Sequence, residues 1–230
     1  MINVESVYQS IRSLTTKGKG GYTDSNEFNA DSKRAELLLW QYYSEQYEKS
    51  REVPEAMYPF LAKEVLALAV DGLADLPANY GHFVLVNYGH VVSVPGSSPV
   101  VTNYGANYLS KEEEAEVLAS AVRGPNFAKR RIYYGFYPGN KIKVFPIGMS
   151  GILDIQYLRY PTYAVRGYTL DSTNDEQVYN AGTSTNYEWP AQEENNIVDL
   201  LLLAKGLEVR DSELVRWASQ HQSITPAIVQ

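Results

Sequence analysis

The segment Lys17-Gly18-Lys19-Gly20-Gly21 has the composition of a phosphate-binding loop, because glycines let the backbone approach an anion and lysines neutralise its charge. A nucleotide-binding loop of this kind follows a strand and ends in a Lys-Ser or Lys-Thr pair that opens a helix. This segment follows a predicted helix and lacks that pair. We interpret it as a flexible turn between helices, whose lysines could contact a phosphate backbone or an acidic neighbour.

Histidines and carboxylates offer other chemistries, but their spacing defines no site. His82, His90 and His221 have no paired carboxylates at metal-ligand spacing. A glycosidase needs two carboxylates held about 5 Å or about 6.5–9.5 Å apart across a sugar cleft. The candidates, among which no pattern selects a pair, are Asp71, Asp75, Asp154, Asp171, Asp175 and Glu188. The stretch 171–175 also lacks the glycine and final glutamate of a calcium loop.

Nucleophilic catalysis is not indicated either. The chain has no cysteine, which excludes thiolate nucleophiles, thiolate metal sites and disulfides. Ser110, Ser150 and Ser172 lack the pattern of a nucleophile elbow. We therefore predict that the protein is not an enzyme, and we assign no catalytic, cofactor-binding or metal-binding residues.

Two basic runs, Lys33-Arg34 and Lys129-Arg130-Arg131, occur in a chain with 27 acidic and 20 basic residues. We interpret them as solvated surface or, alternatively, as contacts to an acidic partner subunit. Binding to nucleic acid depends on cationic neutralisation of phosphate, so the net charge of −7 argues against tight DNA wrapping.

The elements that position these residues begin with two predicted helices. Asn3 is the expected cap of the first, whose apolar stripe consists of Val4, Val7, Ile11 and Leu14. Asp24 or Ser25 caps a longer helix that ends near Ser50. Its predicted apolar face carries Phe28, Ala35, Leu38, Leu39, Tyr42 and Gln46.

Between residues 60 and 168 the hydrophobic period changes to that of strands. Strands are predicted at 131–137, 141–146 and 151–160, with turns at Asp71-Gly72 and Pro138-Gly139-Asn140. A short helical stretch carrying Phe83 and Val86 is predicted after residues 76–80. Ser110 and Glu113 form a capping-box pattern for a helix that Gly124 closes.

Residues 165–190 are polar and are predicted to form a long loop that is either functional or disordered. A helix from 192 to 205 follows, with Ile197, Leu200, Leu201 and Ala204 on one face and Gly206 as its stop. Asp211 caps a last helix, and the tail 223–230 is apolar.

The fold class that follows is α+β: a helical bundle from the N- and C-terminal helices with an inserted β-rich lobe. The predicted divisions are 1–59 for the N-terminal helices, 60–168 for the lobe with its short helix, 169–190 for the long loop, and 191–230 for the C-terminal helices and tail. No apolar run approaches the ~20 residues that span a bilayer. The 19 tyrosines against 6 phenylalanines suit half-buried positions and interfaces, or simply replace phenylalanine in a thin core.

Several motifs resemble those of phage virion proteins. Residues 154–162, DIQYLRYPT, resemble the strand ending in "YLRxPT" in virion proteins of phages that infect Bacteroidetes, including crAss-like phages. Residues 180–190, NAGTSTNYEWP, are similar to the "ATSTxxEWP" segment of the same group. Ile197-Val198 with residues 207–214, LEVRDSEL, resembles its closing pattern, although Lys205-Gly206 stands where that pattern has Leu-Gly.

Two further motifs extend the resemblance. Gly21-Tyr22-Thr23 and Glu27-Phe28-Asn29 are similar to the helix-opening segment of the same virion proteins. Residues 76–80, LPANY, resemble the "LPADY" motif of podovirus head-to-tail adaptors, also called tail tubular A proteins. Residues 91–108 match no pattern of either group.

The resemblance implies a structural virion protein: a subunit of a ring between the portal vertex and the tail that lines or surrounds the DNA passage. Its implied partners are copies of itself, usually twelve, the portal protein and other tail ring proteins. Genomic DNA passes without specific binding, and no membrane is involved. The implied location is the tail or connector of the virion, after synthesis in the host bacterial cytoplasm. The motif residues become packing or interface candidates, and the apolar tail adds further interface candidates: Tyr157, Arg159, Pro161, Tyr187, Trp189, Pro190, Ile224 and Ile228.

Two other functions remain open at this point. A receptor- or carbohydrate-binding tail component is suggested by 12% aromatic residues together with polar loops. A polysaccharide-degrading tail enzyme is a third possibility, based on the carboxylates alone.

Overall fold

The structure, a computed structural model, describes residues 1–17, 24–92, 100–148, 151–172 and 176–209. It is a mixed α+β fold with helices towards both ends and a β-rich middle. The chain divides into a helical unit, Met1–Phe60 with Pro161–Gln230, and a β unit, Leu61–Tyr160. The elements are α1 (Val4–Lys17), α2 (Ser25–Ser50), β1 (Leu61–Ala67), β2 (Leu73–Asp75), β3 (Tyr80–Val92), β4 (Val100–Gly105), β5 (Asn107–Tyr108), α3 (Lys111–Ala119), β6 (Tyr133–Tyr137), β7 (Lys141–Phe145), β8 (Gly151–Arg159), β9 (Tyr168–Leu170), β10 (Gln177–Tyr179) and α4 (Glu194–Val209).

Side chains cap the first two helices as their sequences predict. The Asn3 Oδ1 atom accepts hydrogen bonds from the backbone N–H groups of Glu5 and Ser6, at 2.8 and 3.2 Å. Asp24 is the N-cap of α2 and accepts from the Asn26 N–H. These carboxamide and carboxylate oxygens satisfy N–H groups that have no partner within the helix.

The helix α4 packs against both α1 and α2, with Ile197, Leu200 and Leu201 buried. The prediction that Gly206 stops this helix is wrong, because α4 continues to Val209. A glycine inside a helix costs only about 1 kcal/mol, which a neighbouring apolar contact can offset. The last helix capped by Asp211 and the tail 223–230 lie outside the described residues.

The segment predicted as a long loop, 165–190, instead contains regular structure. β9 and β10 form an antiparallel pair, and a short 3-10 helix covers Ala181–Thr183. Val165 and Thr185 form an isolated antiparallel bridge, and Ile2 pairs in the same way with Tyr187. These pairings could not be predicted from the sequence, because each is only one to three residues long and the segment is rich in polar residues.

The β unit consists of two four-stranded sheets, ordered β1-β8-β3-β4 and β2-β7-β6-β5. The strands predicted at 131–137, 141–146 and 151–160 are confirmed as β6, β7 and β8. Residues from both sheets share one core, among them Leu66, Val86, Tyr88, Ile132, Ile142, Val144, Leu153 and Ile155. The helix α3 packs on another cluster through Val117, with Leu109 and Phe145.

The helical stretch predicted around Phe83 and Val86 is wrong, because these residues belong to the long strand β3. Pairing with β8 along most of its length gives β3 its backbone hydrogen bonds. The capping box of α3 is confirmed: Ser110 accepts from the Glu113 N–H at 3.3 Å and its hydroxyl donates to Glu113 Oε2 at 3.2 Å. This helix ends at Ala119, before Gly124, because the extended backbone of Ser120 interrupts it.

The turn at Asp71-Gly72 requires its glycine. Gly72 has φ +78°, and its carbonyl accepts the Val144 N–H at 2.9 Å. A Cβ atom at this position would lie 2.6 Å from the Val144 carbonyl oxygen. Left-handed backbone costs a non-glycine residue about 1–2 kcal/mol, and overpacking adds about 1–3 kcal/mol.

We therefore expect Gly72→Ala to lower the free energy of unfolding by roughly 3 kcal/mol, measured by chemical denaturation. Gly139→Ala is the matched control. Gly139 has a similar φ of +82°, but its Cβ would meet only the flexible Lys141 Cε atom, at 4.0 Å. It should lose about 1–2 kcal/mol. Equal losses in the two variants would contradict the contact with Val144.

Candidate functional site

One face of α2 carries polar residues that bind the segment returning to the helical unit. We call Ser25, Asn29, Ser32, Glu36 and Tyr43 the polar stripe and residues 161–193 the returning segment. Their spacing of three, four and seven places all five on one side of the helix. Each contacts a residue more than 120 positions away in sequence. The polar stripe therefore determines where the returning segment lies on α2.

Arg166 anchors the first turns of α2. Its side chain is 3% exposed and its Nε donates to Glu5 Oε2 at 2.7 Å, while Nη1 donates to the Ser25 hydroxyl at 2.5 Å. The guanidinium carbon lies 3.8 Å from the centre of the Tyr8 ring. Its backbone N–H donates to Asn29 Oδ1 at 2.7 Å, and the Asn29 amide donates back to the Arg166 carbonyl at 3.2 Å. A planar guanidinium suits this combination of a carboxylate, a hydroxyl and an aromatic face.

A buried carboxyl group occupies the middle of the polar stripe. Glu36 is fully buried and its Oε1 atom accepts the Ala164 N–H at 2.7 Å. The Oε2 atom is also buried and has no hydrogen-bond partner among the described residues. One turn away, the hydroxyls of Ser32 and Tyr187 are 2.6 Å apart.

Burial raises the pKa of Glu36 from its ordinary value of 4.5 to about 7. The hydrogen bond from Ala164 opposes this rise, and the negative charge of Glu188 adds to it. The Trp189 indole N–H opposes the rise slightly, although its geometry falls short of a hydrogen bond. Desolvation dominates because the charged form loses more hydration than one amide can replace.

Tyr43 closes the far end of the polar stripe. Its hydroxyl donates to Glu193 Oε2 at 2.9 Å, and burial together with that carboxylate raises its pKa above the usual range. The Tyr43 ring lies 5.9 Å from the Trp189 ring, which also contacts Phe60 at 4.6 Å. Trp189 is thus surrounded by aromatic side chains of its own unit.

A second buried charge joins α2 to α4. Lys205 is 4% exposed, and its ammonium pairs with Glu27 and, at 3.0 Å, with Asp31 Oδ2. Burial alone would lower the pKa of Lys205, but these two carboxylates raise it above its ordinary value. Next to Asp31 is an open groove of about 210 Å³, lined by Asp31, Arg34, Ala35, Leu38, Leu200, Leu203 and Ala204.

The structure buries four of the six interface candidates that lie within the described residues. Tyr187 and Trp189 are 0% exposed and Tyr157 is 4% exposed, so their rings pack internally. Pro161 is also buried, whereas Arg159 and Pro190 are half-buried. Burial of these four residues favours the packing alternative, and a contact of any of them with another subunit stays a prediction. Ile224 and Ile228 lie outside the described residues.

The carboxylates considered for sugar chemistry have structural partners. Asp75 pairs with Lys141 at 2.7 Å and Asp154 pairs with Lys63 at 2.8 Å. Asp71 accepts the Leu73 N–H at 3.1 Å, and Glu188 accepts the Thr162 N–H at 2.9 Å. Asp175 lies outside the described residues. Within the described parts of the chain, no three His, Asp or Glu side chains are grouped as a metal site would require.

The polar stripe was not predicted from the sequence. The apolar spacing on α2 predicts only its hydrophobic face, where Phe28, Ala35 and Leu39 are indeed buried. Apart from Tyr43, the stripe consists of two serines, an asparagine and a glutamate, residue types that usually indicate the solvent side of a helix. Their helical spacing was visible, but their long-range partners could not be deduced from it.

Comparison with known protein families found no match, and a search of curated proteins found no similar sequence. Among the described residues, no helix has the length and apolar character needed to cross a membrane.

The buried Glu36 should make stability depend on pH. Because its folded-state pKa is about 7 and its unfolded value is 4.5, the folded state binds the proton more tightly. The free energy of unfolding should therefore fall as pH rises from about 4.5 to 7, by about 3 kcal/mol. Glu36→Gln keeps the shape of the side chain and removes its titration. In chemical denaturation, the free energy of unfolding of this variant should therefore lack the fall expected between pH 4.5 and 7. Glu45→Gln, an exposed position on the same helix, should retain it; an unchanged slope in Glu36→Gln would contradict the assignment.

Removing Arg166 should destabilise the helical unit strongly. Arg166→Ala leaves Glu5 and the Ser25 hydroxyl without their partner, and breaking a buried ion pair costs about 3–5 kcal/mol. Arg34→Ala, at an exposed arginine on α2, should change the free energy of unfolding by less than about 0.5 kcal/mol. Thermal and chemical denaturation compare the two variants, and similar losses would show that Arg166 is not an anchor.

Proposed function

We propose that this chain is a structural virion protein, one subunit of a ring that joins the portal vertex to the tail and surrounds the DNA passage. The proposal includes the finer architecture of a bundle of N- and C-terminal helices into which a β lobe is inserted. No catalytic role is proposed.

The observation that carries this proposal is how the chain forms its helical unit. Sequence from both sides of the β unit, Met1–Phe60 and Pro161–Gln230, builds that one unit. This is the layout that the motif resemblance implies for head-to-tail adaptors. The segment similar to "ATSTxxEWP" supplies Tyr187 and Trp189, two of the largest fully buried side chains. The residues of this motif therefore pack inside the helical unit, and this supports the adaptor-like architecture that the resemblance implies.

The distribution of charge supports a ring through which DNA passes without being bound. The helical unit contains 19 acidic and 11 basic residues, whereas the β unit contains 8 acidic and 9 basic residues. An acidic surface repels phosphate, so DNA can move past it without the loss of counterions that accompanies tight binding.

The test is the native mass of the purified chain, alone and mixed with the portal oligomer of the same phage. We expect a closed ring of defined stoichiometry, usually twelve copies in the proteins it resembles, either spontaneously or only with the portal. A chain that stays monomeric in both conditions would contradict the ring proposal.

The same preparation separates the ring from the alternative function. Binding to polysaccharide from the host surface, with a stoichiometry that does not depend on the portal, would favour a receptor- or carbohydrate-binding tail component. A Lys205→Met variant loses the buried pairing with Asp31 inside the helical unit. It shows how assembly changes when the fold, and not an interface, is disturbed.

A further inference from the structure

The segment between α3 and β6 forms a tight basic turn, which we define as residues 126–131. Asn126 and Arg131 exchange two backbone hydrogen bonds of 3.0 and 2.9 Å. The Arg130 N–H donates to the Phe127 carbonyl at 2.9 Å, and the Lys129 N–H donates to Asn126 Oδ1 at 3.0 Å. Four hydrogen bonds within six residues fix the direction in which the turn presents its side chains.

Aromatic packing attaches the basic turn to the β unit. The Phe127 ring lies 4.7 Å from the His90 ring and 5.7 Å from the Tyr104 ring. Arg130 has a left-handed φ of 55°, and its guanidinium carbon is 5.6 Å from the Tyr104 ring centre. A guanidinium held over an aromatic face loses less side-chain entropy when it binds an anion.

The cations of the basic turn have no carboxylate partner among the described residues. Elsewhere in the β unit, Lys63, Lys111, Arg123 and Lys141 each pair with a carboxylate. Lys129 and Arg130 are exposed and Arg131 is half-buried, yet none of them forms an ion pair with a described residue.

The helical unit carries the opposite charge in the last turns of α2 and in the residues that directly follow it, 45–55, which we call the acidic end of α2. Glu45, Glu52 and Glu55 are exposed there and form no ion pair with a described residue. Lys49 and Arg51 are interspersed, but four glutamates between residues 45 and 55 leave a net negative charge. The carbonyl end of this 26-residue helix adds a partial negative charge.

We propose that, in the ring, the basic turn of one copy docks on the acidic end of α2 in the next copy. This inference rests on the proposed function, because a ring closes only when two different surfaces of the same chain are complementary. An acidic protein surface fits better than DNA as the occupant, since the chain has a net charge of −7 and only three cations cluster in the turn. Complementary charge would also set the orientation in which copies meet.

A charge-reversal series tests the docking, with native mass spectrometry and light scattering of the full chain, alone and with the portal oligomer. Lys129→Glu/Arg130→Glu and Glu52→Lys/Glu55→Lys should each weaken association about tenfold or more, and the four changes combined should restore most of it. Lys33→Glu/Arg34→Glu is the matched control, because it makes the same change in net charge at the other basic run, and it should assemble normally. Circular dichroism confirms that each variant is folded.

The outcomes separate this inference from the proposed function. A ring that forms equally well with either reversed pair, or that the combined variant fails to restore, overturns the docking but leaves the ring intact. Equal weakening by the Lys33/Arg34 control also overturns it, because net charge would then be the cause. Loss of binding to a short DNA duplex in Lys129→Glu/Arg130→Glu, with assembly unchanged, would reassign the turn to nucleic acid. A wild-type chain that forms no oligomer in any condition overturns both proposals.

Discussion

The helical unit depends on the contact between the polar stripe of α2 and the returning segment. Hydrogen bonds join Asn29, Ser32 and Glu36 to residues 128 to 155 positions away in sequence; Glu36 is the acceptor in its bond. These bonds are directional, so they fix both the position and the register of the segment along the helix. An apolar face of similar size would bury the segment but would tolerate sliding, because hydrophobic contact is not directional.

Burying polar side chains costs desolvation free energy. Contacts within the protein offset this cost for some of the buried groups more than for others. Arg166 is well compensated, because a carboxylate, a hydroxyl and an aromatic ring surround its guanidinium. Glu36 is poorly compensated, because one of its oxygens has no hydrogen-bond partner in the described parts of the chain, and its pKa rises accordingly. Because burying polar groups costs desolvation, we expect the polar stripe to favour one arrangement of the chain while adding little net stability.

Insertion of the β unit between two parts of the helical unit has a consequence for function. The segment that resembles a virion motif supplies core residues of the helical unit, so the resemblance concerns architecture more than surface. We propose that contacts to other molecules involve exposed residues outside those motifs. The basic turn and the acidic end of α2 are the surfaces proposed for such contacts, and the run Lys129-Arg130-Arg131 indicates, from sequence alone, either solvated surface or a contact to an acidic partner subunit.

The sequence by itself determined the elements that depend on residues close to one another along the chain. Caps at Asn3, Asp24 and Ser110, and the alternation that produces β6, β7 and β8, depend on residues within a few positions of one another. It also determined the mixed α+β class, the position of the helices and the β-rich middle. It could not identify β3 near Phe83, because that strand is stabilised by pairing with the distant β8. Only the tertiary structure decided that Tyr157, Tyr187 and Trp189 are core residues and that the serines and Glu36 of α2 are buried. The partners of these side chains are far away in sequence, and no local pattern of residue types encodes a contact of that range.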